Sequence, residues 1–336
     1  MTLDERAAED ARRRERLRQA TPPSPGLFLL VGIALVALVG RFGFEAGGSH
    51  EATQTWSTIF VAIVLQAIPF LVLGVVLAAA ISAFVPEGAI EARLPRHPVL
   101  AVPVAGLAGM ALPGCECASV PVAGRMIASG VSPPAALSFL LSAPAANPVV
   151  LVATAVAFPQ APSMVWARLV ASLALAMTMG WLWSRFGRPD WLRPPRRVHA
   201  HGSSRWETFR LTAQFDFLQA GGFLVVGAMF AATLDTAVDP AWTSAAGADP
   251  VVSVVVLALL AVLLAVCSEA DAFVVSGLTG FSMTAKLVFM VVGPAVDVKL
   301  IAMQAGTFGR RFAARFAPVT FLAAVAISTL VAGLLL

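Results

Sequence analysis

The stretch ALPGCECASVPVAGR, residues 111–125, sets two cysteines around a glutamate directly behind a Pro-Gly pair. How it folds depends on the solvent around it, and the composition identifies that solvent. Of 336 residues, 58% are hydrophobic and 12% charged, with a mean hydropathy of +0.83. A soluble domain carries about a quarter charged residues, and apolar runs near the ~18 residues needed to cross a bilayer recur along this chain. The chain is therefore read as an all-α polytopic membrane protein. In that solvent, backbone outside a helix survives only where protein or a water-filled cavity satisfies its polar groups. Pro113 restricts the backbone, and Gly114 permits turns closed to other residues. In a helix, residues two apart point about 200° away from each other. Cys115 and Cys117 can therefore face one site only if the segment is extended or turned. The segment is predicted to separate two short apolar pieces, residues 98–114 and 118–129, that enter the membrane and return as a re-entrant hairpin.

The net charge of +4 and pI near 9.6 come from arginines gathered in a few loops, a poor match for a nucleic-acid partner. Three cysteines at membrane depth do not make a disulfide framework. The sequence holds no phosphate-binding Gly-rich loop, no His-rich zinc motif and no serine-elbow motif, and its four histidines are read as loop residues. No cofactor and no enzymatic activity are expected. The expected partners are the bilayer and a small-molecule or ion substrate, with the oligomeric state left open.

The apolar runs divide the chain. Residues 1–26 read as a charged cytoplasmic tail and residues 27–44 as an extra transmembrane helix, an uncleaved anchor rather than a secretory signal. Residues 57–184 form a first membrane repeat and residues 211–336 a second. Between them, residues 185–210 are an Arg/Pro-rich cytoplasmic linker. At an offset of 150, residues 130–158 match residues 280–308 at nine of 29 positions, including Pro144 with Pro294 and Phe158 with Phe308. A composition this biased gives roughly three by chance, so the pattern indicates an internal repeat. QAIPFLVLG from Gln66 likewise matches QAGGFLVVG from Gln219. Cys267 in AVCSEADAF corresponds to Cys115 at an offset of 152 or to Cys117 at 150.

Short cytoplasmic loops retain Lys and Arg. By that rule the tail, EARLPRH (Arg93, Arg96), the linker and GRRFAARF (Arg310, Arg311, Arg315) lie inside, whereas residues 45–55, 159–162 and 238–250 carry no Lys or Arg and lie outside. Equivalent loops of the two halves thus fall on opposite sides. The expected fold has two inverted-topology repeats with re-entrant hairpins and discontinuous helices. The N-terminus is placed in the cytoplasm of an inner or plasma membrane, and the C-terminus outside. Arg41 fits this scheme poorly. All seven tryptophans fall at span ends or in loops, as interfacial residues should.

Several polar residues interrupt the apolar runs. Thiolates are soft ligands and nucleophiles, so Cys115, Cys117 and Cys267 are candidates for substrate binding and for metal coordination. Glu116 could carry a proton or counter a cation. Cysteine is also a small apolar residue that packs in membrane helices, and Cys267 fits that reading equally well; Glu116 at membrane depth does not. Pro144 and Pro294 each remove a helix hydrogen bond, with Asn147 and Asp297 three residues later in both halves. Discontinuous helices meeting at the midplane are how many transporters build substrate sites, although a kink with a satisfied cap would explain the same residues. Ser119 and Ser268 complete the candidate substrate-binding set. Glu116, Glu269 and Asp271 are the candidate proton-coupling carboxylates, since burial disfavours the charged form; an exposed hairpin tip is the alternative for the last two. Lys299 either pairs with Asp297 across an unwound stretch, snorkels, or meets another acid. Gln66 and Gln219 fit helix–helix hydrogen bonding, and Arg125 fits an anchor at the cytoplasmic interface.

PGCECASVPVAGRMIASGVSPPAALSFLLSAPAANPVV, followed by CSEADAF, resembles the predicted-permease family that includes YraQ/YcgR-type permeases and ArsP-type organoarsenical exporters. The resemblance spans about residues 56–336 and implies an inner-membrane permease. In the ArsP branch it implies export of trivalent organoarsenicals through cysteine-containing sites, which points to Cys115 and Cys117. Here a glutamate separates the two cysteines, and the sequence looks closer to the YraQ/YcgR branch. The expected function is a secondary transporter, proton-coupled, exporting a small thiophilic metal, metalloid or anionic solute. An intramembrane thiol-dependent enzyme and a passive channel are the alternatives.

Overall fold

The computed structural model describes residues 50–84, 95, 97–112, 116–193, 205–237, 249–278 and 280–336. Expectations for the tail, the extra helix at 27–44, Cys115 with its Pro-Gly pair, Arg41, Arg93, Arg96 and residues 194–204 of the linker lie outside these residues, as do the side chains of Gln66 and Gln219. Among the described residues every regular element is a helix, and five stretches are long and apolar enough to cross a membrane: Thr53–Ile81, Pro133–Ala157, Ser163–Phe186, Met283–Thr307 and Arg310–Leu335. The protein is an all-α polytopic membrane protein.

The first half runs α1 (His50–Phe84), α2 (Pro98–Gly109), α3 (Glu116–Ala128), α4 (Pro133–Ala146), α5 (Pro148–Ala157) and α6 (Ser163–Phe186). The second runs α7 (Arg205–Ala237), α8 (Pro250–Leu264), α9 (Asp271–Ser276), α10 (Met283–Ala295), α11 (Val298–Thr307) and α12 (Arg310–Leu335). Each half is one long helix, two short ones, a pair joined at a break, and a final long helix. At 1.5 Å per residue, α2 and α3 reach only about 20 Å, short of a ~30 Å hydrocarbon core. Helix α1 begins at His50, inside a stretch read from sequence as a loop.

The breaks fall at Asn147 and at Val296–Asp297, after the prolines rather than at them. Pro144 and Pro294 sit inside α4 and α10, near their ends. Pro148 disfavours helical backbone at Asn147, whose Oδ1 accepts from Val150 N at 3.0 Å and so caps α5. Asp297 caps α11 in the same way, with Oδ1 accepting from Leu300 N at 2.5 Å. These caps satisfy amides that no water at membrane depth would reach.

Three pairings join the halves, α1 with α7, α4–α5 with α10 and α6 with α12, and in each the end of one lies near the start of the other. Trp56 near the start of α1 donates to Thr233 Oγ1 near the end of α7 at 3.0 Å, while Phe84 at the end of α1 meets Phe209 near the start of α7. Lys286 near the start of α10 lies 6.0 Å from the ring centroid of Phe158, just past α5. Trp183 near the end of α6 packs on Phe312 and Phe316 near the start of α12. The bundle therefore has a Phe158 end and a Trp183 end. Pro134, at the start of α4, lies against Gly180 of α6 and so belongs to the Trp183 end.

Helices α3, α4 and α10 form the interior, with every residue buried over 116–126, 135–146 and 285–295. The outer helices turn apolar side chains outward, among them Leu65, Leu100, Val152, Leu259 and Leu322. That is the surface a hydrocarbon solvent selects.

Candidate functional site

Four chain segments end or begin at one buried place. Helix α3 begins with Glu116, α11 begins after Asp297, and α8 ends at Ala265, from which the chain turns through Cys267 into α9. Ala265 adopts φ 47°, the only positive φ outside glycine among the described residues. It leaves the α8 helix in the left-handed region, a conformation that costs a non-glycine residue about 1–3 kcal/mol.

Lys299 lies at the centre of this place. Its Nζ is 2.5 Å from Glu116 Oε1, 3.4 Å from the Ala265 carbonyl, 3.9 Å from Cys267 Sγ and 3.9 Å from Asp297 Oδ2. Lys299, Glu116 and Asp297 are each 0% exposed. A lysine in the first turn of α11 meets the positive end of that helix dipole. Glu116 from the other half, Asp297 and the carbonyl at the end of α8 offset this. Two acceptor atoms stay without a hydrogen-bond partner, Glu116 Oε2 and Asp297 Oδ2. Buried acceptors in that state are costly.

The sequence-predicted residues divide around this centre. Glu116, Asp297 and Cys267 converge on Lys299, with Cys117 following Glu116 on α3. Cys117 and Cys267 are both buried and not in disulfides. Contrary to an extended Cys-Glu-Cys segment, Glu116 and Cys117 already belong to a helix. Ser119 turns back on its own helix, donating to the Glu116 carbonyl at 3.0 Å. Asn147 is a satisfied cap, with Nδ2 donating to the Ala143 carbonyl at 2.9 Å. Ser268 is buried, its hydroxyl 3.4 Å from Glu269 Oε2, and Glu269 Oε1 has no hydrogen-bond partner. No group of three or more His, Cys, Asp or Glu among the described residues is placed to hold a metal ion. Cys115 lies outside those residues.

Asp271 is not an unoccupied carboxylate. Arg168 of α6 donates to both its oxygens, at 2.8 and 2.7 Å, and also to Thr154 Oγ1 and the Ser268 carbonyl. Arg125, expected at the interface, is instead 2% exposed and pairs in the same two-pronged way with Asp216 of α7, at 2.9 and 2.5 Å. Arg168 and Asp216 escaped the sequence reading. Both stand as charges among apolar residues of a long helix, which is the signal that finds such positions.

The family model described as predicted permease matches residues 53–336, so the chain belongs to the predicted permease family. The protein YcgR of Bacillus subtilis is 34% identical over 263 residues, covering 76% of this chain and 90% of YcgR. A Streptococcus mutans protein, provisionally named as a subunit of a two-component membrane permease complex, is 29% identical over 266 residues, 77% of this chain and 88% of its own. No solved structure matches.

Proposed function

We propose that this member of the permease family is a secondary transporter built from two inverted repeats, which exports a small thiophilic or anionic solute against an inward flow of protons. The observation that carries the reading is the ion pair of Lys299 with Glu116, fully buried and drawn one partner from each half. A transporter needs its halves to meet at a group whose charge state changes during the cycle, near ends of broken helices. Two carboxylates around one ammonium leave an odd negative charge, which a proton neutralises in one state and a substrate can replace in another. Cys267 beside Lys299 adds a soft ligand to the same site. Glu269, with a buried unpartnered oxygen two residues beyond Cys267, is the proposed next carrier. In this reading Asp271 holds Arg168 and carries no proton.

An ammonium 3.9 Å from a thiol is also the neighbourhood of a nucleophilic cysteine, which keeps the thiol-enzyme reading testable. Purified protein in sealed proteoliposomes separates the two. An imposed pH gradient drives accumulation of the right solute in a transporter, whereas an enzyme converts its substrate with no gradient. If flux follows the solute gradient alone and ignores pH, the proton-coupled reading fails. For a thiophilic solute, Cys117→Ser and Cys267→Ser abolish flux. For an anionic solute they retain it, and Glu116→Gln removes its pH dependence.

A further inference from the structure

We propose that the two buried arginine–aspartate pairs are the two gates of the permeation path, broken in turn on opposite sides of Lys299. The inference rests on the transporter reading, but on neither its coupling ion nor its substrate. Three features carry it. Each pair joins one half of the chain to the other: Arg125 to Asp216, and Arg168 to Asp271. Each ties a short helix near the central site to a long helix of the opposite half, α3 to α7 and α9 to α6. And the two lie at opposite ends of the bundle. Arg125 is nine residues along α3 from Glu116, about 13 Å at helical rise, toward the loop that leads to Pro134 and the Trp183 end. Arg168 is in the second turn of α6 and bonds Thr154 near the end of α5, at the Phe158 end.

The chemistry suits a gate better than a strut. A buried two-pronged pair is attractive in a dry interior, but desolvation of its two ions offsets most of that gain. When water enters, both ions recover their hydration and the pair can part at little net cost. An apolar seam in the same place would resist wetting. With both pairs formed, the site around Lys299 is closed from both ends, as an occluded state requires.

The test uses a protein retaining only Cys267, with Cys115→Ser and Cys117→Ser, labelled by a membrane-impermeant maleimide in right-side-out and inside-out vesicles. With both pairs intact, labelling is slow from either side. Asp271→Asn is expected to raise the rate about tenfold from one side only, and Asp216→Asn by a similar factor from the other, the scale on which a minor open state becomes populated. Both variants opening to the same side, or neither changing the rate, overturns the assignment. If an asparagine variant fails to fold because it strands an arginine, Arg168→Met with Asp271→Leu, and Arg125→Met with Asp216→Leu, remove both charges together. Folded paired variants that stay protected from both sides overturn the gates as well. Absence of pH-driven flux in the unsubstituted protein, alongside one-sided labelling of these variants, would remove proton coupling and leave the gates standing.

Discussion

At the scale of single residues, the centre is defined by an ammonium that must never be alone. Lys299 and Glu116 are wholly buried and 2.5 Å apart. Removing one partner of such a pair costs about 3–5 kcal/mol, because the other charge is left without water or counter-ion. Lys299→Met should therefore lower the thermal midpoint of detergent-solubilised protein sharply. The double variant Lys299→Met with Glu116→Gln should regain most of that loss, and a thermal double-mutant cycle reads the coupling directly. Additive single losses would mean that the two side chains are not a pair in solution. The sequence marked Glu116, Cys267 and Asp297 because polar residues at membrane depth are conspicuous. It left Lys299 with three possible fates, since its partner is 183 positions away in the chain. Nothing local in VGPAVDVKL specifies a contact with PGCEC. The partner of Asp271 was hidden for the same reason, since Arg168 stands 103 residues earlier in the chain.

At the scale of elements, the breaks and the tight crossings decide where those residues sit. Asn147→Ala should cost about 1 kcal/mol, the usual worth of a helix N-cap, whereas Asn147→Ser keeps an uncharged accepting oxygen and should cost less. Chemical unfolding of purified protein measures both; equal losses would deny Asn147 its capping role. A sterner case is Gly74 of α1. A methyl group there would run into the backbone of Ala118 in α3, and neither backbone can yield without moving Glu116 two residues away. Gly74→Ala should lose about 1–3 kcal/mol by overpacking and reduce transport more than its stability loss explains. Stability and flux both unchanged would show that the two helices separate freely at this crossing. The interrupted helices were legible from Pro144, Pro148 and Pro294 with their polar neighbours. The position of each break was not, because a proline near a helix end is tolerated while the capping residue chooses where the next helix starts. The approach of α1 to α3 was illegible altogether, since a glycine in an apolar run does not name what will pack on it.

At the scale of the whole molecule, two independent observations bear on how the halves are related. Arginines are distributed so that equivalent loops of the two halves read to opposite sides. In the structure, the loop after α5 stands at the Phe158 end beside Lys286. The loop after α11 stands at the Trp183 end, where the Phe308 carbonyl accepts from Arg193 N at 2.9 Å. Charge bias and packing use different physics, one the translocation of cationic loops and the other the burial of apolar faces, so neither entails the other. If both report one topology, Gln160, exposed in the first of these loops, and Ala314, exposed in the second turn of α12 just beyond the other, face opposite compartments. Single cysteines at each, on a background with Cys115, Cys117 and Cys267 replaced by serine, should be labelled by an impermeant maleimide from opposite sides. Gln160→Cys is expected to react in right-side-out vesicles and Ala314→Cys in inside-out ones. Reaction of both from one side would rule out an inverted arrangement. It would also set the two arginine–aspartate pairs on the same face of the membrane, where they could not act as alternating gates. Reaction from opposite sides with the assignments exchanged would preserve the symmetry and place the Arg168 pair, rather than the Arg125 pair, toward the cytoplasm.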